Sequence, residues 1–201
     1  QALALAHLEA RYAGELRYLD DQLRALLEAV EERGQLDDTL VVVWSDHGEA
    51  FGERGEFAHG NTLYAEEIDA VAAFWAADIV PGELSAPTTH ADLLPTMLAG
   101  LGLAPEWELE GLGPGAPVDR AVFASQRVEM SQHAVVQDGW KLVYRWDGAV
   151  ALYELGADPG EQRDRAAEEP ERVQALWRLL EPRVQGLAGL VSESVAPPVD
   201  P

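Results

Sequence analysis

Cysteine is absent from the 201-residue sequence. Its absence excludes disulfide bonds, thiolate metal sites and a cysteine nucleophile within the chain. It gives no indication of the cellular compartment, which stays unassigned. Long apolar runs are also absent, since no stretch reaches the roughly 18 apolar residues that a membrane helix requires. We therefore expect no membrane segment in this chain.

Basic residues are scarce. The chain has 14 Lys and Arg residues against 36 Asp and Glu residues, which gives a formal net charge of −22. Nucleic acids and anionic membrane surfaces bind to basic patches, so neither is an expected partner. A small anionic substrate remains compatible with this charge, because a bound metal ion inverts the local field.

The first residue is Gln rather than Met, and it lies inside a helical pattern. The opening segment QALALAHLEA is too short and too interrupted for a signal peptide, and no cleavage site follows it. We interpret the chain as a piece of a longer protein. The alternative is a processed mature N-terminus.

The first half of the sequence predicts a helix followed by a buried strand. Residues 15–33 carry apolar side chains at spacings of three and four, and Gly34 follows as a helix stop. The run TLVVVW at 39–44 is continuously apolar and β-branched, as in strands buried on both faces of a parallel sheet. A helix, a short loop and such a strand form half of a parallel βαβ unit. Residues 48–62 are Gly-rich and polar, which predicts a loop.

The second half has a different periodicity. We expect a helix in ADLLPTMLAGLGL and a linker over the Pro- and Gly-rich residues 104–118. The runs 141–146 and 149–155 flank Asp147-Gly148, which indicates a β-hairpin. Residues 170–185 predict an amphipathic helix whose inward side chains are Val173, Leu176, Trp177, Leu180 and Val184. The tail at 188–201 is expected to be disordered.

Asp46 and His47 follow the apolar strand directly. Ligands of open parallel sheets bind outside the carboxyl ends of the strands, and a carboxylate with an imidazole suits a divalent metal ion. Neighbouring side chains on a strand point to opposite faces, so both reach one ion only if the chain leaves strand geometry there. Gly48 permits a sharp turn and a close approach to a ligand. The alternative is a capping Asp beside a surface His.

Three ordered motifs carry a family resemblance. The segment LRYLDDQLRALLEAVEERGQLDDTLVVVWSDHGEAFGERGEFAHGNTLYAEE resembles the sulfatase family of the alkaline phosphatase superfamily. In that family a strand ends in S-D-H-G-E or S-D-N-G, and a glycine-rich loop, a His or Lys and a Tyr-Glu segment follow. THADLLPTMLAGLGL is similar to its D-L-x-P-T helix, and WKL…LYEL…DPGE is similar to its C-terminal signature. The resemblance spans about residues 11–182.

The resemblance implies an α/β fold in two parts. Residues 1–118 would be the C-terminal part of an alkaline-phosphatase-like parallel-sheet domain. Residues 119–187 would form a small subdomain made of an antiparallel sheet and a packed helix.

The same resemblance implies site roles. Asp46 and His47 match two ligands of one divalent metal ion, which would be calcium, manganese or zinc. His59 matches the basic position that contacts the sulfate or phosphate group or the leaving oxygen; a role in binding a second metal stays open. Glu49 is either a partner that orients His47 or a solvated side chain. His90 and Asp92 are interpreted as helix-capping and turn residues.

The implied function is metal-dependent hydrolysis of sulfate esters, with only part of the active site in this chain. The family's nucleophile, a formylglycine made from Cys or Ser, belongs to an N-terminal half, and its C/S-x-P-S-R motif is absent here. That half is the expected partner, and the isolated chain is expected to be inactive. The alternatives are a phosphodiester or phosphonate monoester hydrolase, a phosphoethanolamine transferase, or a non-catalytic chain. Asp69 departs from the family pattern, in which relatives carry a basic residue, and this weakens the expectation of a substrate contact at that position.

Overall fold

The computed structural model describes residues 2–84, 86–126 and 131–191. Within these ranges, four helices and eight strands are connected by loops and short 3-10 turns. The helices are α1 (Ala2–Glu32), α2 (Ala65–Ile68), α3 (Leu93–Gly100) and α4 (Pro170–Val191). The strands are β1 (Val41–Trp44), β2 (Ala50–Phe51), β3 (Phe57–Ala58), β4 (Ala72–Trp75), β5 (Val122–Gln126), β6 (Gln132–Gln137), β7 (Trp140–Arg145) and β8 (Val150–Glu154).

The first helix is confirmed and is longer than the periodicity predicted. α1 includes the whole predicted span up to Glu32 and extends back to Ala2. Gly34 ends it with a left-handed backbone (φ +66°), and the Gly34 N–H donates to the carbonyl of Glu31 at 2.8 Å. The apolar stripe of α1 is not buried, since Leu19 and Leu26 are both about 60% exposed.

The parallel-sheet prediction is wrong for the residues that the structure describes, because their sheets are antiparallel. β1 pairs with β4, with Val41 opposite Trp75 and Trp44 opposite Ala72. A parallel pair requires a crossover, usually a helix, whereas the chain between these strands forms a loop, a small hairpin and the four-residue α2. Val43 and Trp44 are also substantially exposed, so β1 is not buried on both faces.

The segment 48–62 is more structured than a loop. β2 and β3 pair as a small hairpin, with Ala50 opposite Ala58 and Phe51 opposite Phe57. Ala50 is fully buried. The turn between these strands contains Arg54 with a left-handed backbone (φ +53°). Strands of only two residues give no periodic signal, which explains why the sequence did not predict them.

The C-terminal sheet agrees with the sequence prediction. β5, β6, β7 and β8 form one antiparallel sheet in chain order, and β7 and β8 form the hairpin expected around Asp147-Gly148. α4 covers one face of this sheet. All five side chains predicted to point inward from this helix are buried against Val135, Leu142, Tyr144 and Leu152. The helix–sheet core therefore forms as its amphipathic patterns predict.

The other face of the C-terminal sheet packs on the segment that leads into α2. Leu63 is buried there with Ala134, Val143 and Tyr153, and Tyr64 and Ile68 pack around this cluster. The hydroxyls of Tyr64 and Tyr153 lie 3.1 Å apart. The sheet thus carries α4 on one face and the loop–α2 segment on the other.

Asp92 organises the start of α3, as expected for a capping residue. Thr89 and Asp92 form a capping box at the 3-10 turn before the helix. The buried Asp92 carboxylate also pairs with Arg120 and accepts a hydrogen bond from the N–H of Leu112 at 2.7 Å. Burial raises the pKa of Asp92, but Arg120 and the backbone donors outweigh it and hold that pKa below its usual value. The carboxylate thereby ties residues 104–118 to α3.

Of the predicted disordered tail at 188–201, the structure describes only residues 188–191. α4 continues to Val191, so residues 188–191 are helical rather than disordered. The remainder of the predicted tail, 192–201, lies outside the described residues. None of the helices within the described ranges combines the length and the apolar character needed to cross a membrane.

Candidate metal and substrate site

Asp46 and His47 lie where the chain leaves β1. The N–H of Ser45 donates to the carbonyl of Val71 at 3.0 Å, next to β4. Three residues later the N–H of Gly48 donates to the carbonyl of Glu67 in α2 at 2.9 Å. This change of direction brings two adjacent side chains onto one face, with Nε2 of His47 3.7 Å from Oδ1 of Asp46. The Asp46 side chain is 83% exposed, so its carboxylate is open to a ligand from solvent.

The His47 ring is held in one orientation. Its Nδ1 lies 2.7 Å from the carbonyl oxygen of Gly48, which can only accept, so Nδ1 carries the proton and donates. Nε2 then presents its lone pair toward Asp46. Metal-binding histidines typically donate their second ring N–H to a carbonyl or carboxylate in this way.

The Asp46–His47 pair fits a divalent cation. With metal–ligand distances of about 2.1 Å for zinc or about 2.4 Å for calcium, an N···O separation near 3.7 Å is spanned by one ion. Within the described ranges, no three His, Asp or Glu side chains converge to hold a metal. Among the described residues, Asp46 and His47 are therefore two candidate ligands, without a third converging side chain.

His59 lies on the same face. Its ring stacks on that of His47, with centroids 3.8 Å apart and planes tilted by 34°. Nδ1 of His59 is 3.4 Å from Oε2 of Glu49. Of the two alternatives for Glu49, the first is not supported, because the carbonyl of Gly48 orients His47 and the Glu49 carboxylate contacts His59 instead. The structure brings all three predicted site residues together.

The packing of the turn after His47 requires a glycine at position 48. A Cβ built at this position would lie 2.3 Å from the carbonyl oxygen of Glu66 and 3.2 Å from that of Asp69. The turn after His47 is thus pressed against the backbone of α2. A side chain of any kind would push this turn away from the helix.

Two other residues of this region escaped the sequence analysis. Glu67 is 2% exposed, and its carboxylate accepts hydrogen bonds from the loop that follows His59. Arg54 stacks on the ring of Tyr64 at 3.8 Å, pairs with Glu66 and donates to the carbonyl of Gly160 at 2.6 Å. The Tyr-Glu segment of the family pattern could have drawn attention to Glu67. No sequence pattern pointed to Arg54.

A buried ion pair anchors α2 to the C-terminal sheet. Nζ of Lys141 lies 2.6 Å from Oε1 of Glu161, and both side chains are almost fully buried. Burial lowers the pKa of Lys141, and the nearby Glu161 opposes that shift. Oε2 of Glu161 accepts a hydrogen bond from the N–H of Ala65, the first residue of α2, at 2.7 Å. The WKL and DPGE motifs thus meet at the helix that supports the site.

Comparison with solved structures defines the fold. The chain superimposes on a 2-O GAG sulfatase with a TM-score of 0.69 at 20% identity, covering 87% of this chain and 41% of that one. It superimposes on the phosphonate monoester hydrolase of Agrobacterium radiobacter with a TM-score of 0.62 at 21% identity, covering 86% and 39%. The described residues therefore form part of an alkaline-phosphatase-like sulfatase fold.

Sequence comparison identifies the family. The sulfatase family model matches residues 6–103. The choline-sulfatase of Rhizobium meliloti is 32% identical over 162 residues, which are 74% of this chain and 31% of that protein. The chain belongs to the sulfatase family of the alkaline phosphatase superfamily. It spans about a third of the length of the curated relatives it matches.

Proposed function

We propose that this chain carries part of the active site of a metal-dependent sulfatase that hydrolyses sulfate esters. The observation that carries the proposal is the convergence of Asp46 and His47, with Nδ1 of His47 held by a carbonyl and Nε2 left free. Asp46 would supply an anionic oxygen to the cation, and His47 a neutral nitrogen. Family membership supports sulfate esters as the substrate class.

Asp46 and His47 would hold the cation, which when bound would supply Lewis-acid chemistry to the sulfate ester and its nucleophile. The chain's own part is to fix the two ligands before the cation arrives. The Gly48 carbonyl fixes the tautomer and the orientation of His47, so this ring does not have to reorient on binding. The packing of Gly48 on α2 fixes the turn itself.

We assign His59 to the substrate. A carboxylate only accepts, so the Glu49 contact places the proton of a neutral His59 ring on Nδ1 and leaves Nε2 available to ligands. From this position His59 contacts the transferring sulfate group or, when protonated, gives a proton to the leaving oxygen. The half-exposed His59 ring is accessible to a substrate that approaches from solvent.

The remaining parts of the site would come from an N-terminal half of the enzyme, which is the proposed partner. These parts are the formylglycine nucleophile and further metal ligands. Two observations support this division: the described residues provide only two converging ligands, and the chain spans about a third of its relatives.

Manganese binding tests the metal site directly. We expect Mn²⁺, followed by paramagnetic broadening in ¹H–¹⁵N spectra, to broaden signals of residues 45–49 selectively. Asp46→Asn and His47→Gln should each abolish this selective broadening. His7→Gln, which removes an imidazole from α1, should leave it unchanged. Selective broadening that survives both site substitutions would refute the assignment.

A phosphonate or phosphodiester hydrolase is the second candidate, and a phosphoethanolamine transferase belongs with it. His47 favours it, because an imidazole ligand suits manganese or zinc better than calcium. An enzyme reassembled with its N-terminal half should hydrolyse an aryl sulfate faster than phenyl phosphonate if the first proposal holds. The reverse order would establish the second candidate. Turnover of neither ester by the metal-loaded assembly would favour the non-catalytic alternative.

A further inference from the structure

Glu67 contacts both arms of the site. Its backbone carbonyl accepts the N–H of Gly48, the residue after His47, at 2.9 Å. Its carboxylate accepts the N–H groups of Asn61 and Thr62 at 2.8 and 3.1 Å, and the hydroxyl of Thr62 at 2.8 Å. One residue thus holds the chain on either side of the gap between the two imidazoles.

We propose that Glu67 is a positioning residue that sets the spacing of the His47 and His59 rings. It acts through its hydrogen bonds to the two loops that carry these rings. The geometric part of this proposal stands on the contacts of Glu67 alone. Its catalytic meaning rests on the proposed function, in which His59 must reach a substrate held beside Asp46 and His47.

An ionised carboxylate at Glu67 is suited to holding the loop after His59 in one position. A buried carboxylate is strongly unfavourable unless it is hydrogen-bonded, and this one has three donors. Hydrogen bonds to an ionised acceptor are shorter and roughly twice as strong as neutral ones. A neutral amide in the same place would offer one acceptor oxygen and would turn an N–H₂ group toward other donors.

α2, which carries Glu67, is itself held in place by the C-terminal sheet. A four-residue helix is too short to be stable alone. The Glu161 carboxylate holds its first N–H and is paired in turn with Lys141 in the C-terminal sheet. The same sheet also reaches the loop, since Nε2 of Gln132 donates to the carbonyl of Asn61 at 3.2 Å. The loop's carbonyl is therefore held by the sheet and its N–H groups by Glu67.

Such positioning has consequences for rate. Displacing a reacting group by about 1 Å can reduce turnover by roughly a hundredfold. The 3.8 Å stacking of His47 and His59 leaves little tolerance for a loop that moves. Glu67 would thus influence turnover without contacting the substrate.

The test compares Glu67→Gln with Glu66→Gln in the 201-residue chain. The two variants make the same chemical change at adjacent positions of α2, but Glu66 pairs with Arg54 and not with the His59 loop. Thr62→Val provides a milder version, because it removes one donor to Glu67 and keeps the side-chain shape. The readouts are amide hydrogen exchange at Asn61 and Thr62, the ring-to-ring NOE between His47 and His59, and Mn²⁺-induced broadening.

We expect Glu67→Gln to lower exchange protection at Asn61 and Thr62 by about tenfold to a hundredfold, the equivalent of a lost charged hydrogen bond. The His47–His59 NOE should weaken strongly in Glu67→Gln, partly in Thr62→Val and not in Glu66→Gln. An unchanged NOE in Glu67→Gln would overturn the proposal. Equal loss in Glu66→Gln would also overturn it, by revealing general loosening.

Two further outcomes are decided by the same experiments. If Glu67→Gln does not fold, the His47–His59 NOE in Thr62→Val tests the proposal instead. An unchanged NOE in Thr62→Val would refute the positioning role of Glu67. If Mn²⁺ produces no selective broadening in the wild-type chain, the proposed metal site fails. The exchange and NOE results still decide the role of Glu67, because neither requires a metal.

Discussion

Removing one partner of the Lys141–Glu161 pair should destabilise the chain severely. The two side chains are 2% and 0% exposed, and their charged atoms lie 2.6 Å apart. Their gross attraction is about 6 kcal/mol at an effective dielectric constant near 20, and desolvation of both ions opposes it with a similar magnitude. The net value of the pair is thus small. Lys141→Met, however, leaves a buried carboxylate without its cation and should cost about 3–5 kcal/mol.

A double-mutant cycle separates the ion pair from other losses. Glu161→Gln retains an acceptor oxygen for the N–H of Ala65, so it removes mainly the charge. The double variant K141M/E161Q buries no net charge, and it should recover to within about 1–2 kcal/mol of the wild type. Asp21→Asn breaks a solvent-exposed pair with Arg17 on α1 and provides the control, with little change expected.

Urea unfolding followed by circular dichroism gives each free energy, provided that the denaturant dependence stays constant across the variants. The reasoning is refuted if Lys141→Met costs less than about 1 kcal/mol. Strict additivity of the two single substitutions would refute it as well, because a coupled pair must show a large interaction energy.

Four other predictions follow from the fold and the site. Gly48→Ala should destabilise the chain by about 1–3 kcal/mol in urea unfolding, because its Cβ would collide with α2, whereas Gly14→Ala on the open surface of α1 should not. Stability should fall as the pH drops below the usual Asp value of 3.8 and through the lowered pKa of Asp92, and Asp92→Asn should flatten this acid limb of the unfolding curve. The purified chain should not hydrolyse an aryl sulfate; turnover abolished by Asp46→Ala would show that the site is misread. The chain should bind a hydrophobic dye and self-associate through the exposed apolar residues of α1 and β1, and an N-terminal half should suppress both in fluorescence and sedimentation measurements.

Local periodicity predicted the parts of the fold that are decided locally. The inward residues of α4 and the turn at Asp147-Gly148 follow from the helical spacing and from turn chemistry. The direction of the partner of β1 did not follow, because an apolar run reports burial and not strand order. The chain that connects β1 to β4 makes the two strands antiparallel, and no pattern within 39–44 encodes that direction.

The candidate site shows the same division. Asp46 and His47 were found because polar residues at the end of an apolar strand are a local signal. Their convergence depends on Gly48 packing against α2, which is 17–20 residues further along the chain. Glu67 was missed because an acidic residue in a charged segment looks solvated, and its burial exists only in the folded loop. The convergence of Asp46 and His47 and the burial of Glu67 both depend on contacts between segments that are distant in the sequence, which local patterns do not reveal.

Lys141 is the only lysine in the sequence, and it is 2% exposed. The described surface therefore offers no lysine amine to acylating reagents, and the only side-chain amine becomes reactive when the C-terminal sheet opens around it. Acylation at Lys141 is thus a built-in reporter of local opening, whose rate reflects the fraction of time that β7 and Glu161 are apart.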